Sequence, residues 1–226
     1  MPIIKSAIKR VRQTAKRRSH NLQVKRAIHA DVRAVMDAID AKGLRPVQPL
    51  VDAVGALRDL RDLAAFLGEL ERVGGHGVFG SYVDTDDKDS DRYLVNLVQG
   101  GLGLPDESYY REDKHAETRE KYVAYLTRLL ELGGTGADWL GDPGEAARTV
   151  LDIDTRIAAG HWERAETRDV QKTYNLHTLE QLRTLLPAFD LDVYVTNLSA
   201  GKRTAEDLLA EVNVRQPSFF AGLSQV

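Results

Sequence analysis

The sequence has no cysteine, which excludes disulfides and metal sites built on thiolates. It also has no apolar run near the roughly 18 residues that a membrane-spanning helix requires. Charged residues rather than an apolar block follow Met1, unlike a secretory signal peptide. These absences predict a cytoplasmic protein with no membrane partner.

The motifs of common catalytic sites are missing as well. None of the six histidines is followed by glutamate, and no two of them are four residues apart, so the zinc helix H-E-x-x-H is absent. His161 in "HWE" is interpreted as a packed or capping residue, since Glu163 would lie on another face of a helix. Spacing alone therefore predicts no catalytic and no metal-binding residue.

Two short motifs resemble ligand loops but lack the required residues. "DTDDKDSD" would place Asp89 where an EF-hand needs glycine, or Val98 where it needs glutamate, so a solvated turn is favoured over a calcium site. "QGGLGLPD" lacks the lysine of a P-loop, and its glycines are predicted to permit tight backbone geometry.

Acidic residues are absent before Asp31, and aromatic residues are absent before Phe66. Residues 1–40 hold ten lysines and arginines against three aspartates, which gives +7. The rest of the chain has 21 basic and 31 acidic residues, which gives −10. This asymmetry predicts a basic arm on an acidic body.

The arm has neither glycine nor proline from Ile4 to Ala41, and its apolar residues recur with helical spacing, so we predict a long basic helix. Three interpretations stay open: a solvated basic helix, a helix that binds nucleic-acid phosphates, and an organelle transit peptide. The lack of aromatic residues disfavours base stacking.

The string "IKSAIKRVRQTAKRRSHNLQVKR" resembles the start of bacterial small-subunit ribosomal protein S-twenty. That resemblance implies a helix that binds ribosomal RNA (rRNA), although the later basic helices of the family are not found in this chain. It implies the following candidate RNA-backbone-binding residues: Lys5, Lys9, Arg10, Lys16, Arg18 and Lys25.

The acidic body alternates amphipathic and β-rich segments. Helical periodicity predicts two short helices between residues 50 and 72, longer helices over 113–133 and 143–161, and short ones near 178–186, 189–198, 203–211 and after Pro217. The runs "GVFGSYVDT" and "RYLVNLVQG" predict a hairpin around the acidic turn. The predicted fold is mainly α, with one small β-hairpin and the long basic N-terminal helix in front.

Three strings resemble the N-terminal region of neprilysin-like zinc metallopeptidases, peptidase family M-thirteen. They are "SYVDTDDKDSDRYLVNLVQGGLGLPDESYYRED", "HWERAETRDVQKTYNLHTLEQL" with "FDLDVYV", and "VNVRQPSFF". The resemblance covers residues 41–226 and leaves 1–40 as the separate basic arm, which gives two predicted domains. It implies a lid-type helical domain that covers the active-site cavity of a peptidase acting on short peptides.

The zinc and catalytic motifs of that family lie beyond Val226, so the resemblance implies zinc in the complete enzyme and none in this chain, which is predicted to be inactive alone. Two alternatives remain open: an rRNA-binding module with a passenger, and a chimeric gene product made of two coding fragments. A lid without the rest of its enzyme is also expected to expose apolar surface and self-associate.

Overall fold

The computed structural model describes residues 48–133 and 141–226, and nearly all of them belong to one unit of the chain, Val51–Val226. The helices are α1 (Gln48–Gly55), α2 (Leu60–Arg72), α3 (Ser108–Arg111), α4 (Ala116–Gly133), α5 (Pro143–Gly160), α6 (Leu179–Leu185), α7 (Leu191–Leu198), α8 (Ala205–Leu209) and α9 (Pro217–Leu223). The strands are β1 (Phe79–Asp86), β2 (Asp89–Gln99), β3 (Leu176–Thr178) and β4 (Glu211–Val214).

Five helices begin at an aspartate or threonine whose side chain accepts a hydrogen bond from a backbone N–H three residues later. Such caps satisfy donors that the first helical turn leaves unpaired. The capping residues are Asp59, Asp142, Thr178, Asp190 and Thr204. Short polar side chains in the sequence therefore set where these helices start.

The four strands form one sheet in the order β1-β2-β4-β3. β1 and β2 are the predicted antiparallel hairpin, with Tyr82 opposite Asn96. β4 pairs parallel to β2, with Val95 opposite Val212, and β3 pairs antiparallel to β4. The sheet thus joins the hairpin to the last part of the chain.

The core lies where the sheet meets helices α2, α6, α7 and α9, and aromatic rings fill its centre. Phe79 of β1 packs edge-on against Tyr194 at 5.6 Å between ring centroids, and its ring lies 5.5 Å from that of Phe220. Phe219 and Phe220 are 1% and 0% exposed. Tilted and edge-on ring pairs of this kind stabilise a core beyond the area that they bury.

The mainly α fold class is confirmed, and so are the hairpin and the helices from residue 48 onward. The sheet is larger than predicted because β3 and β4 extend the hairpin, and the helix predicted over 203–211 ends at Leu209, before β4. The predicted basic helix and the domain boundary at residues 40–41 lie outside the described residues.

Candidate functional site

The loop after β2, residues 100–107, follows the outer surface of the core because two of its glycines allow close contacts. Gly101 has a φ of +79°, and a Cβ there would lie 2.8 Å from the carbonyl oxygen of Val78. A Cβ on Gly103 would lie 1.9 Å from the hydroxyl of Tyr122. The predicted role of these glycines in tight backbone geometry is confirmed at both positions.

A buried carboxylate in α5 tethers this loop to the helices. Asp154, 7% exposed, accepts hydrogen bonds at Oδ2 from the hydroxyls of Tyr110 at 3.0 Å and Tyr122 at 2.9 Å. The same oxygen lies 3.4 Å from the backbone nitrogen of Gly103, and the Tyr110 hydroxyl accepts a bond from Leu104 N. Burial raises the pKa of both tyrosine hydroxyls, so they stay protonated and donate to Asp154.

His161 and Trp162, at the C-terminal end of α5, hold the start of the loop. His161 is 9% exposed, and its Nε2 lies 2.9 Å from the carbonyl oxygen of Gly100, which fixes that nitrogen as the donor. Burial lowers the pKa of the imidazole, so it is neutral at pH 7. Gln99 accepts a hydrogen bond from Trp162 N at 2.8 Å and donates one to Trp162 O at 3.0 Å. His161 is therefore the packed residue that the sequence predicted, and Glu163 is exposed.

Arg111, at the end of α3, caps the C-terminus of α5. One guanidinium nitrogen donates to the carbonyl oxygens of Ala158 at 2.6 Å, Ala159 at 3.2 Å and His161 at 3.1 Å. A cation at this position also interacts favourably with the helix dipole. The contact fixes α3, and with it the end of the loop, against α5.

Two adjoining clefts open beside the loop and share Asp106, Glu107 and Arg164 in their walls. The first cleft has a volume of about 350 Å³, and Glu112 and Glu163 also line it. The second has about 370 Å³ and includes His161 and Trp162. A hydrogen bond from the Ser108 hydroxyl at 2.5 Å lowers the pKa of Asp106, so this wall is negatively charged at neutral pH.

The acidic hairpin turn forms an ion-pair network rather than a fully solvated turn. Asp86 is 5% exposed and lies 2.6 Å from the guanidinium of Arg92, which also pairs with Glu211 at 2.5 Å. Asp86 also accepts bonds from Lys88 N at 2.8 Å and the Tyr174 hydroxyl at 2.9 Å. The backbone hydrogen bond from Lys88 lowers the pKa of Asp86 most. Protein groups thus occupy the carboxylate that a calcium ion would use, whereas Asp84, Asp87, Asp89 and Asp91 are exposed as predicted.

The donor set of the described residues does not fit a zinc ion. His161 Nε2 is bonded to a carbonyl, His177 Nδ1 lies 2.9 Å from Asn175 O, and the His115 ring stacks on Tyr109. Across residues 48–133 and 141–226, no three histidine, aspartate or glutamate residues come together as a metal site requires. None of the helices described there is long and apolar enough to cross a membrane.

The six basic residues predicted to bind an RNA backbone (Lys5, Lys9, Arg10, Lys16, Arg18 and Lys25) lie outside the described residues. Conversely, Glu107 and Asp154 were not among the candidate residues. A signal for Asp154 exists in the sequence, because it shares one helical face with Ala147, Ile157 and Ala158, all buried. No sequence pattern marks Glu107, which is 7% exposed.

The chain is similar to known proteins in sequence and in structure. It is 28% identical to Neprilysin-3 of Drosophila melanogaster over 153 residues, which cover 66% of this chain and 19% of that protein. It is 31% identical to Endothelin-converting enzyme 1 of Bos taurus over 113 residues, which cover 50% of this chain and 15% of that protein. The chain therefore spans a minor part of the length of these relatives.

The open state of the zinc metalloprotease Zmp1 of Mycobacterium tuberculosis has a TM-score of 0.74 and 36% identity, covering 84% of this chain and 28% of that chain. PepO of Lactobacillus rhamnosis shares the fold, with a TM-score of 0.63 and 19% identity. The comparisons do not support the ribosomal resemblance or a nucleic-acid partner.

A family model described as peptidase family M13 matches residues 3–226, so the match includes the basic segment that we compared with a ribosomal protein. This chain belongs to peptidase family M13 and forms an N-terminal region of a neprilysin-like metallopeptidase.

Proposed function

We propose that this chain is the non-catalytic part of an M13 zinc metallopeptidase that covers its substrate chamber. In the complete enzyme, a zinc ion held by residues outside the described ones would polarise the scissile carbonyl and activate water. The covering region would admit short peptides and exclude folded proteins. The observation that carries the proposal is the match of 84% of this chain to 28% of the Zmp1 structure at 36% identity.

The surface of the helical part supports a role as one piece of a larger enzyme. Tyr125 and Leu129 lie one turn apart on α4 and are 61% and 50% exposed. Ile153 of the neighbouring α5 is 41% exposed. Exposed apolar side chains on adjacent helices are typical of a surface that packs against further protein. Self-association of the isolated chain through such side chains stays a prediction.

A chimera tests the proposal. The matched region of Zmp1 is replaced by this chain, and hydrolysis of a short fluorogenic peptide is measured with and without a zinc chelator. We expect zinc-dependent hydrolysis by the chimera, none by this chain alone with added zinc, and no cleavage of a folded protein. Turnover by the chain alone, or equal cleavage of peptides and folded proteins by the chimera, would contradict the proposal.

A matched control keeps the test specific. The same chimera carrying Phe220→Ala, which removes a fully buried ring, should lose activity in step with loss of folded protein. Asp152→Ala changes an exposed residue of α5 and should leave activity unchanged.

A further inference from the structure

Glu107 differs from the other buried acidic residues that the structure describes. It is 7% exposed, yet its side chain makes no capping hydrogen bond at the start of α3 and takes part in no ion pair or other hydrogen bond of the described residues. Asp86 and Asp154, the other buried carboxylates, accept bonds from arginine, backbone or tyrosine donors. A largely buried carboxylate with no protein donor can accept a hydrogen bond from a ligand, and the low exposure of Glu107 strengthens such a bond.

The carboxylate of Glu107 faces the clefts. Among the described residues, no fully enclosed side-chain oxygen or nitrogen lacks a hydrogen-bond partner. Because the Glu107 oxygens make no such bond, they must retain some contact with solvent. The residue lines both clefts, so these are the openings through which a ligand reaches it.

The charge of the surrounding walls favours a cation. Asp106 and Glu163 add negative charge, and Ser108 keeps Asp106 ionised. The guanidinium of Arg111 is engaged with the carbonyl oxygens of Ala158, Ala159 and His161 rather than with these carboxylates. Arg164 is exposed at the common wall of the two clefts and makes no hydrogen bond through its side chain to the described residues, although its charge also lowers the pKa of Asp106.

The clefts suit a side chain better than a metal ion. Each has about 350–370 Å³, which is ample for an arginine or lysine side chain, and the described residues there form no metal-binding cluster. Trp162 lines the second cleft, and its indole nitrogen donates to Ser218 Oγ at 2.6 Å, which fixes the ring. An indole and a carboxylate that line the same cleft are a combination that binds guanidinium groups well.

We propose that the clefts flanking Glu107 bind the guanidinium or ammonium group of a basic peptide side chain, with Glu107 as its charged hydrogen-bond acceptor. The group can come from a peptide in solution or from the part of the peptidase that this chain does not include. The binding does not depend on the proposed covering function, because it is a property of this chain alone.

Titration of the full chain with N-acetyl-arginine amide tests the proposal, with the citrulline analogue as a neutral control of nearly the same shape. Calorimetry or NMR shifts report the affinity. We expect arginine amide to bind and the citrulline compound to bind at least about tenfold more weakly. Glu107→Gln should weaken arginine binding about tenfold or more, whereas Glu120→Gln, on the exposed face of α4, should leave it unchanged.

Arg164→Gln provides a variant that should gain affinity, since it removes a competing cation without touching the buried wall. Its binding should tighten severalfold, even if Glu107→Gln fails to fold. Equal binding of arginine and citrulline amides, or no difference between the Glu107 and Glu120 variants, would overturn the proposal. So would unchanged affinity in Arg164→Gln.

The Zmp1 chimera distinguishes the two possible sources of the cation, a peptide substrate and the rest of the peptidase. If the cation comes from substrate, Glu107→Gln lowers the preference in kcat/KM for an arginine peptide over its citrulline counterpart. If it comes from the enzyme itself, the chimera no longer binds free arginine amide, although this chain does. An inactive chimera would refute the covering role and still leave the titration of the single chain to decide the binding site.

Discussion

The tether at Asp154 should contribute strongly to stability. Asp154→Ala removes one oxygen that accepts from two tyrosine hydroxyls and faces a backbone N–H. A hydrogen bond to a charged group contributes about 1.5–3 kcal/mol. The three contacts share one oxygen and the third is long, so the full sum does not apply. We expect the free energy of unfolding to fall by about 3–5 kcal/mol, because two tyrosine hydroxyls lose their acceptor and each unsatisfied buried donor costs about 1–3 kcal/mol.

Asp154→Asn should cost less, about 1–2 kcal/mol, because its amide oxygen still accepts from a tyrosine while the charge is lost. Asp152→Ala, two residues away and exposed, is the matched control and should stay within about 0.5 kcal/mol of the wild type. Urea unfolding followed by circular dichroism at pH 7 measures these differences.

Amide hydrogen exchange shows where in the chain Asp154→Ala lowers the stability. The backbone N–H groups of Gly103 and Leu104 bond directly to Asp154 and to the Tyr110 hydroxyl. Their protection should fall in Asp154→Ala more than that of amides in β2. An unfolding free energy for Asp154→Ala within 1 kcal/mol of the Asp152→Ala value would refute the tether, as would unchanged protection of the loop.

Three further predictions concern packing and pH. Gly68→Ala should lower the free energy of unfolding in urea by about 1–3 kcal/mol, because its Cβ would lie 2.3 Å from a backbone oxygen of α7. Gly160→Ala is the control and should lower it far less, because a Cβ there would have no neighbour nearer than 3.8 Å. Phe220→Ala, at a fully buried ring, should lower the urea midpoint by an amount equivalent to about 3–5 kcal/mol. Burial lowers the pKa of His161 in the folded state, so the unfolded state takes up the proton first and stability falls as pH drops below about 6.5. Unfolding measured at pH 7.5 and 5.5 should show a smaller loss in His161→Gln than in the wild type or in the exposed His76→Gln; an equal loss in all three would contradict the reasoning.

The helices and the hairpin were predictable because their signals are local. Apolar residues at helical spacing and capping residues such as Asp142 and Thr178 mark helix starts without reference to the rest of the chain. β3 and β4 have three and four residues, and each depends on a partner far away in sequence, as in the pairing of Val95 with Val212. Strands this short carry too little pattern to be recognised before their partners are known.

The loop that forms the clefts was predictable only in part. Its glycines predicted a tight backbone geometry. Both Gly101 and Gly103 lie against backbone or side-chain atoms that leave no room for a Cβ. The atoms that they meet belong to Val78 and Tyr122, and no local pattern connects those residues with the glycines. The sequence thus predicted the conformation of the loop but not its contacts.

Glu107 shows why the candidate binding site could not be found from residue types. Pairs and triads of chemically complementary side chains leave a pattern in a sequence, whereas the proposed site is a buried carboxylate that has no partner among the described residues. That property becomes visible only when burial is known, since an exposed glutamate without a partner is ordinary and a buried one is not. The tethers at Asp154 and Arg111 are fully bonded, and they hold the walls on either side of Glu107 in place. A rigid wall whose buried carboxylate has no protein partner is preorganised for a cation, because neither the loop nor the helix has to move for the ligand to bind.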